Sequence, residues 1–309
     1  MDQSILSSRA IEGRYFARRE QNLMNGWPNA ISNMFNSDQA GEQYAMLGAS
    51  PGLREWIGGR QAKGLASNNF TITNKHYEGT LEVRLEDVRR DKTGQIMARV
   101  DEFTDQSDIH WATLLTDLII AGESTTCYDG QYFFDTDHSE GASGTQDNDL
   151  TYAAATGTTP TKEEMQLAIL QSVSAIVAFK DNQGNPMNPA AKGFTVMVPP
   201  TYYMIALAAM SESLNIALSG NMNPNQLGGN FNIAVEMNPS LTWTTKFATF
   251  RTDSPIKALI RQEETPLLFK SKAEGSEFEF DNNAWQFGVD GWRAAGYGLW
   301  QRACLTTFT

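Results

Sequence analysis

The stretch CYDGQYFFDTDHSEG, Cys127 to Gly141, gathers residue types that do chemistry. It holds a thiol (Cys127), three carboxylates (Asp129, Asp135, Asp137) and an imidazole (His138), set among aromatic rings. Asp135, Asp137 and His138 together offer two carboxylates and an imidazole to a divalent ion, the donor set of a metal-dependent hydrolase. A working site needs further ligands. The other histidines, His76 and His110, lie in segments that read as strand and long helix, and no His-x-x-x-His, Cys-x-x-Cys or Asp-x-Asp-x-Asp-Gly run is present. The opposing reading makes Tyr128, Tyr132, Phe133 and Phe134 the anchors of a structural loop whose carboxylates face water or cap turns. The rest of the chain favours it. A Walker phosphate loop, a dinucleotide glycine fingerprint and a Gly-x-Ser-x-Gly elbow are all missing. GGRQAKG (58–64) has the glycines of an anion-binding loop, but strands follow it where a helix N-terminus is needed. We expect no catalytic residue, no cofactor and no metal.

The chain has 309 residues, enough for a sizeable core, with 41% hydrophobic and 19% charged residues. No apolar run reaches membrane-spanning length, and the opening MDQSILSSRAIEGRYFARRE lacks the apolar centre of a secretory leader. Two distant cysteines, Cys127 and Cys304, suit buried thiols in a reducing compartment better than a disulfide. A net charge of −12 argues against a chain that grips nucleic acid. The first twenty residues run the other way. Arg9, Arg14, Arg18 and Arg19 outnumber Asp2, Glu12 and Glu20, which predicts an arm seeking the acidic body of a neighbouring copy. Tyr15, Phe16 and Trp27 are its apolar anchors.

Period-two alternation fills FTITNKHYEGTLEVRLEDV (70–88), and REWIGGRQAKGLASNN ahead of it carries hairpin glycines. We read residues 53–88 as a protruding hairpin with little to bury in its own subunit. Apolar or small residues at 96, 100, 103, 107, 111, 114, 118 and 122 predict a helix of about seven turns that stops at Gly122. Thr161 and Glu164 form a capping box ahead of a second helix that buries Met165, Ile169, Ser172, Val173 and Ile176. GFTVMVPP (193–200) reads as a buried strand and TYYMIALAAMSESL as an apolar helix. The asparagine-rich stretch 219–240 reads as loop, and PIKALIRQE, PLLFKS, EFEF and NAWQFGVDGWRAAGYGLWQRACLTTF as strands. Trp292, Ala294, Gly296, Gly298 and Trp300 are expected on one face, with Trp285, Trp292 and Trp300 in core or interface.

SPGLREWIGGRQ, FTITNKHYEGTLEVRLEDV and ESTTCYDGQYFFDTDH, in this order across roughly residues 40–140, resemble the major head subunit of Mu-like phages. The likeness runs more loosely through FTVMVPP to WRAAGYGLWQRA. It implies an α+β, HK97-type capsid fold. Residues 1–45 would then be an N-terminal arm, 46–93 the extended hairpin (E-loop) with its entry strands, and 94–180 a peripheral domain with spine helix 94–122. Residues 181–255 would be mostly axial domain, and 256–309 strands returning to the periphery. The resemblance places Leu53, Arg54, Trp56, Arg60, Lys63, Phe70, Lys75 and Tyr77 of the hairpin, and Arg9, Arg14, Tyr15, Phe16, Arg18, Arg19 and Trp27 of the arm, at contacts between copies. The implied product is an icosahedral head of hexamers and pentamers, built in the host bacterial cytoplasm and ending in the virion. It encloses double-stranded DNA without reading its sequence and has no membrane partner. The short arm, without a heptad region, predicts a separate scaffolding protein beside a portal, with a decoration or cement protein as a further partner. No glutamate or asparagine can be matched to Lys63 or Lys75 for a covalent cross-link.

Overall fold

The computed structural model describes residues 7–22, 26–46, 68–91, 94–218 and 231–309. In chain order the elements are α1 (Ser8–Asn22), α2 (Trp27–Ile31), β1 (Ser32–Asn36), β2 (Gly41–Met46), β3 (Asn68–Thr73), β4 (Lys75–Arg84), α3 (Leu85–Arg90) and α4 (Gln95–Ile120). They continue with β5 (Asp149–Tyr152), α5 (Lys162–Ala178), β6 (Gly193–Val198), α6 (Pro200–Leu218), β7 (Asn232–Met237), β8 (Lys246–Arg251), β9 (Leu259–Lys272), α7 (Glu277–Asn282), β10 (Ala284–Tyr297) and β11 (Ala303–Phe308). One sheet has the order β1-β9-β10-β4, a second β5-β11-β8-β6-β7, and β2 pairs with β3 as a separate ribbon. The architecture is α+β.

The expected long helix is α4, 26 residues, ending at Ile120, and the short turn Ala121–Glu123 that follows takes in Gly122. Asp91 caps its start: Oδ1 accepts the amides of Gly94 and Gln95, and Oδ2 that of Ile96. Gly94 sits at φ 75°, a conformation that favours glycine. The buried stripe runs Ile96, Val100, Thr104, Ser107, Leu115, Thr116 and Ile119, drifting by one position from the expected 103, 114 and 118. Gly122 serves packing rather than a left-handed stop. A Cβ there would meet the Phe134 ring at 2.5 Å.

Two apolar clusters flank α4. Its N-terminal half meets Ile11 and Tyr15 of α1, Val83 of β4, Val88 of α3, and Trp285, Phe287 and Val289 of β10. Its C-terminal half joins Leu115 and Ile119 to Phe133, Phe134, Tyr297 and Trp300. A third cluster lies under α5 and α6, where Met165, Ile169 and Tyr202 cover Val196, Val198 and Phe308. The Thr161–Glu164 capping box forms as expected.

Several expectations are corrected. The hairpin does not stand free: all ten residues of β4 pair with β10, so half of it is a strand of the main sheet. Its other half pairs with β2, Gly41 to Thr73 through Met46 to Asn68, so the hairpin begins inside the segment read as arm. EFEF is helical in α7, because Ser276 caps it by accepting the Glu279 amide. PIKALIRQE and PLLFKS fuse into one strand, β9, and NIAVEM makes β7 inside the expected loop. The β10 register shifts between Asp290 and Arg293, which moves Trp292 to the exposed face while Ala294 and Gly296 stay buried. The three tryptophans therefore part company. Trp285 and Trp300 sit in different clusters, and Trp292 stacks on His76 at 4.8 Å.

Gly122→Ala should lower unfolding stability by about 1–3 kcal/mol, since the new methyl overlaps a ring already packed on both sides. Urea denaturation tests this, with a lower midpoint at unchanged slope expected. An unchanged midpoint would mean that Phe134 has room to move.

Candidate functional site

The loop after α4 folds inward. Phe133 stacks on Tyr297 at 4.5 Å and Phe134 packs over Gly122, while Tyr132 is 46% exposed and anchors nothing. His138 is fully buried, its ring parallel to Trp300 at 3.9 Å. Its Nδ1 faces Asp129 Oδ2 at 2.7 Å and its Nε2 faces Asn148 Oδ1 at 3.2 Å. The Asn148 amide nitrogen donates to the Phe133 carbonyl at 2.9 Å, which fixes Oδ1 toward the ring. Both imidazole nitrogens thus face side-chain oxygens of neighbouring residues. Burial pushes the Asp129 carboxyl up, but hydrogen bonds from His138 and Cys127 and the His138 charge outweigh it and leave it below the usual range. Cys127 Sγ donates to Asp129 Oδ1 at 3.0 Å, and burial with that neighbouring charge pushes its thiol up. Tyr128 donates to Glu140 and accepts from Gln301 Nε2 at 2.9 Å, which ties the loop to the chain end.

The hydrolase reading loses its site here. Asp137 is exposed, Asp135 accepts the amides of Tyr132 and Thr136, and His138 points away from both into the core. Among the described residues one trio, Cys127, Asp129 and His138, brings metal-binding atoms within 4.8 Å. It does not fit an ion. The carboxylate touches the imidazole and the thiol directly, and ligands around zinc at about 2.0–2.3 Å must stand farther apart than a hydrogen bond. The loop is a polar rivet. Both cysteines are free and buried.

The arm is also tied down. α1 lies on α4 in parallel register: Arg14 forks onto Asp101 at 2.5–2.6 Å and Arg18 onto Asp105 at 2.8 Å, each 87 residues on. Arg19 lies 3.9 Å from Asp108 and donates to the Leu267 carbonyl, while Tyr15 is fully buried. These four residues, expected at a neighbouring copy, have partners within their own chain. The reason is spacing: arginines at 14 and 18 match aspartates at 101 and 105 across two helices. That match was visible in the sequence and was missed. Trp27 packs half-buried against the central cluster, Phe16 is 48% exposed, and Arg9 faces solvent.

Of the hairpin residues, Leu53, Arg54, Trp56, Arg60 and Lys63 lie outside the described residues. Phe70 packs on Ile72, Ile260 and Ala294, and Tyr77 sets an edge on His110 at 4.4 Å. Both were expected between copies; within the subunit they have these contacts because β3 and β4 lie along the chain's own sheet. Lys75 is exposed.

A ribbon hairpin, a long helix on a four-stranded sheet and a second five-stranded sheet make up the described chain. The family described as Mu-like prophage major head subunit gpT matches residues 13–163 and 236–307. The chain belongs to that family. The match begins inside α1, so the arm carries family signal that the sequence reading did not find. The Mu-like prophage FluMu major head subunit of Haemophilus influenzae is 38% identical over 112 residues, and the major capsid protein of Escherichia phage Mu 32% over 110 residues. Each alignment spans 36% of this chain and 36% of the relative. A chain in the procapsid of bacteriophage JBD30 superposes with a TM-score of 0.55 at 22% identity, over 97% of this chain and 74% of that one. The fold of this Mu-like head subunit family member is HK97-type. The family is one of structural shell subunits, and the buried loop agrees with that.

Two tests follow from the loop. Asp129→Asn and His138→Gln should each cost about 1–3 kcal/mol, because each leaves a buried hydrogen-bonding group without its partner, and calorimetry reads the loss. Asp149 carries the opposite sign: burial, then Glu123, pushes its carboxyl up to about 6. A carboxyl raised in the folded state takes up protons on folding, so its contribution falls as pH rises through about 6. Asp149→Asn should therefore melt higher than the parent at pH 7.5, and the gap should shrink at pH 5. A gap constant with pH would mean Asp149 is solvated.

Proposed function

We propose that the chain is a major capsid subunit, assembling in many copies, as hexamers and pentamers, into an icosahedral head around double-stranded DNA. Family membership supports the reading, and so does the JBD30 procapsid likeness. The observation that carries it in this chain is the β2–β3 ribbon, which pairs with neither large sheet and leads into residues 47–67. A two-stranded ribbon is marginal alone; one face packs on its own sheet through Phe70 and Ile72, and a neighbouring copy would cover the other. Exposed apolar side chains add further surface to cover, Met204 at 72% and Leu167 at 55% among them. A net charge of −12 suits a wall that holds DNA without gripping it. Within this reading the four-stranded sheet with α4 is the peripheral region and the five-stranded sheet the axial one. β5 belongs to that second sheet and α5 packs on it, which supports counting both with the axial region. A separate scaffolding protein, a portal and a decoration protein complete the partners, in the virion and during assembly in the bacterial cytoplasm. Among the described residues no helix is long and apolar enough to cross a membrane.

Expression of the full chain with its scaffold should give closed particles by negative-stain microscopy. Trypsin should cut free subunits at Arg60 or Lys63 while assembled shells resist. Monomers under every assembly condition, or equal cutting of both forms, would overturn the proposal.

A further inference from the structure

Between α1, α2, α4 and the β9–β10 pair lies a cleft of about 620 Å³. Its floor is basic. Arg261 and Arg293 are 7% and 2% exposed, and the Nε–H of each has no hydrogen-bond partner among the described residues. Arg293 donates to Glu263 Oε1 at 3.2 Å, whereas Arg261 donates to the neutral Asn29 Oδ1 at 2.6 Å. Their guanidinium carbons lie 4.6 Å (Arg293) and 5.7 Å (Arg261) from the Trp111 ring centre. Four arginines line the cleft (18, 19, 261, 293) against three carboxylates (Asp105, Asp108, Glu263), a surplus of one positive charge in an acidic chain. A buried guanidinium whose hydrogen bond among the described residues goes to a neutral amide is unfavourable, and an incoming carboxylate relieves it through a planar two-point contact. The rim is apolar, with Met34 41% and Ile109 50% exposed.

The matching chemistry stands at the far end of the same strands. α7 bears Phe280, 90% exposed, beside the exposed Asp281. Between Arg261 and Lys272 the strand β9 extends about 35 Å, so α7 lies out of reach of its own cleft. The geometry points to a socket for a carboxylate with an aromatic neighbour, filled by the Phe280–Asp281 tip of a second copy, with Asp281 meeting Arg261. Knob and socket on different faces of one chain make a head-to-tail contact, the kind that closes into rings. This inference rests on the multi-copy reading above.

The test uses the full chain in sedimentation velocity and a synthetic peptide of residues 274–284, its binding to the dilute chain read by tryptophan fluorescence. Asp281→Lys and Arg261→Glu should each weaken association at least about thirtyfold, and the two together should recover most of it. The parent peptide should bind, and peptides with Phe280→Ala or Asp281→Asn should bind at least about tenfold more weakly. Normal association of Asp281→Lys, or no recovery in the charge-swapped pair, would overturn the socket. Equal binding of all three peptides would overturn it too, as would acetate occupying the cleft as tightly as the peptide, which marks a free-anion site. Should Arg261→Glu fail to fold, Arg261→Gln with an unchanged melting temperature takes its place in the peptide assay. A parent chain that never associates refutes the shell reading, and the peptide assay then still decides the socket.

Discussion

One helix has to serve two cores. α4 places Ile96 and Val100 against Trp285 and Phe287, and four turns later Leu115 and Ile119 against Phe133 and Trp300. Each fully buried side chain of this kind contributes about 1.5–3 kcal/mol, so the helix holds both ends of the molecule at a fixed separation. Between the two apolar ends its buried positions are Thr104 and Ser107, whose hydroxyls bond carbonyls of the preceding turn. Small, internally satisfied residues let α1 lie close there, and the arginine–aspartate ladder takes over from apolar packing. Displacing α4 would open both clusters, free the arm and unseat the loop at its end.

What could be read from the sequence follows from how local its cause is. The long helix, the capping box at Thr161 and the buried strand at 193–198 rest on periodicity and short-range hydrogen bonds, and all three are there. Elements decided by distant partners were not readable. Nothing local says that β4 pairs with β10, or that a register shift near Asp290 turns Trp292 outward. EFEF alternates like a strand, yet Ser276 two residues before Phe278 caps a helical turn. The loop divided in the same way. Its anchors Phe133 and Phe134 were legible as aromatics, but Asp129 as the partner of His138 was not, since a chain of nine residues can turn either way.

Charge follows a simple rule in this chain. Basic groups are spent inside or along α4, on Asp101, Asp105, Asp108 and Glu263, and the surplus of carboxylates is left to the surface. Exposed pairs of this kind contribute only about 0–1 kcal/mol each, so their main effect is placement of α1 in register. The surface that remains repels polyanions and copies of itself at long range. In the proposed shell, association between copies would then come from short-range contacts such as apolar side chains and strand ribbons. Such contacts are weak singly and accumulate only in a closed assembly.

The ribbon shows how a subunit can reach outward without losing its aim. Ile72 and Phe70 of β3 pack on Ile260 and Ala294, and amides bolt the ribbon's base to the sheet. The fully buried Gln262 donates to Asn74 Oδ1 at 2.8 Å and to the Ile72 carbonyl, and accepts from the Tyr44 hydroxyl at 2.9 Å. Asn74 in turn donates to the Gln39 carbonyl at 2.9 Å and to Glu264. Each bond contributes about 1 kcal/mol net, but an unmatched amide there would cost more, so the network admits one arrangement. It sets the angle at which the ribbon leaves the sheet, while the ribbon's own length sets its reach. In the proposed shell of many near-equivalent contacts, buried polar bonds of this kind would fix the direction of an outward-reaching ribbon.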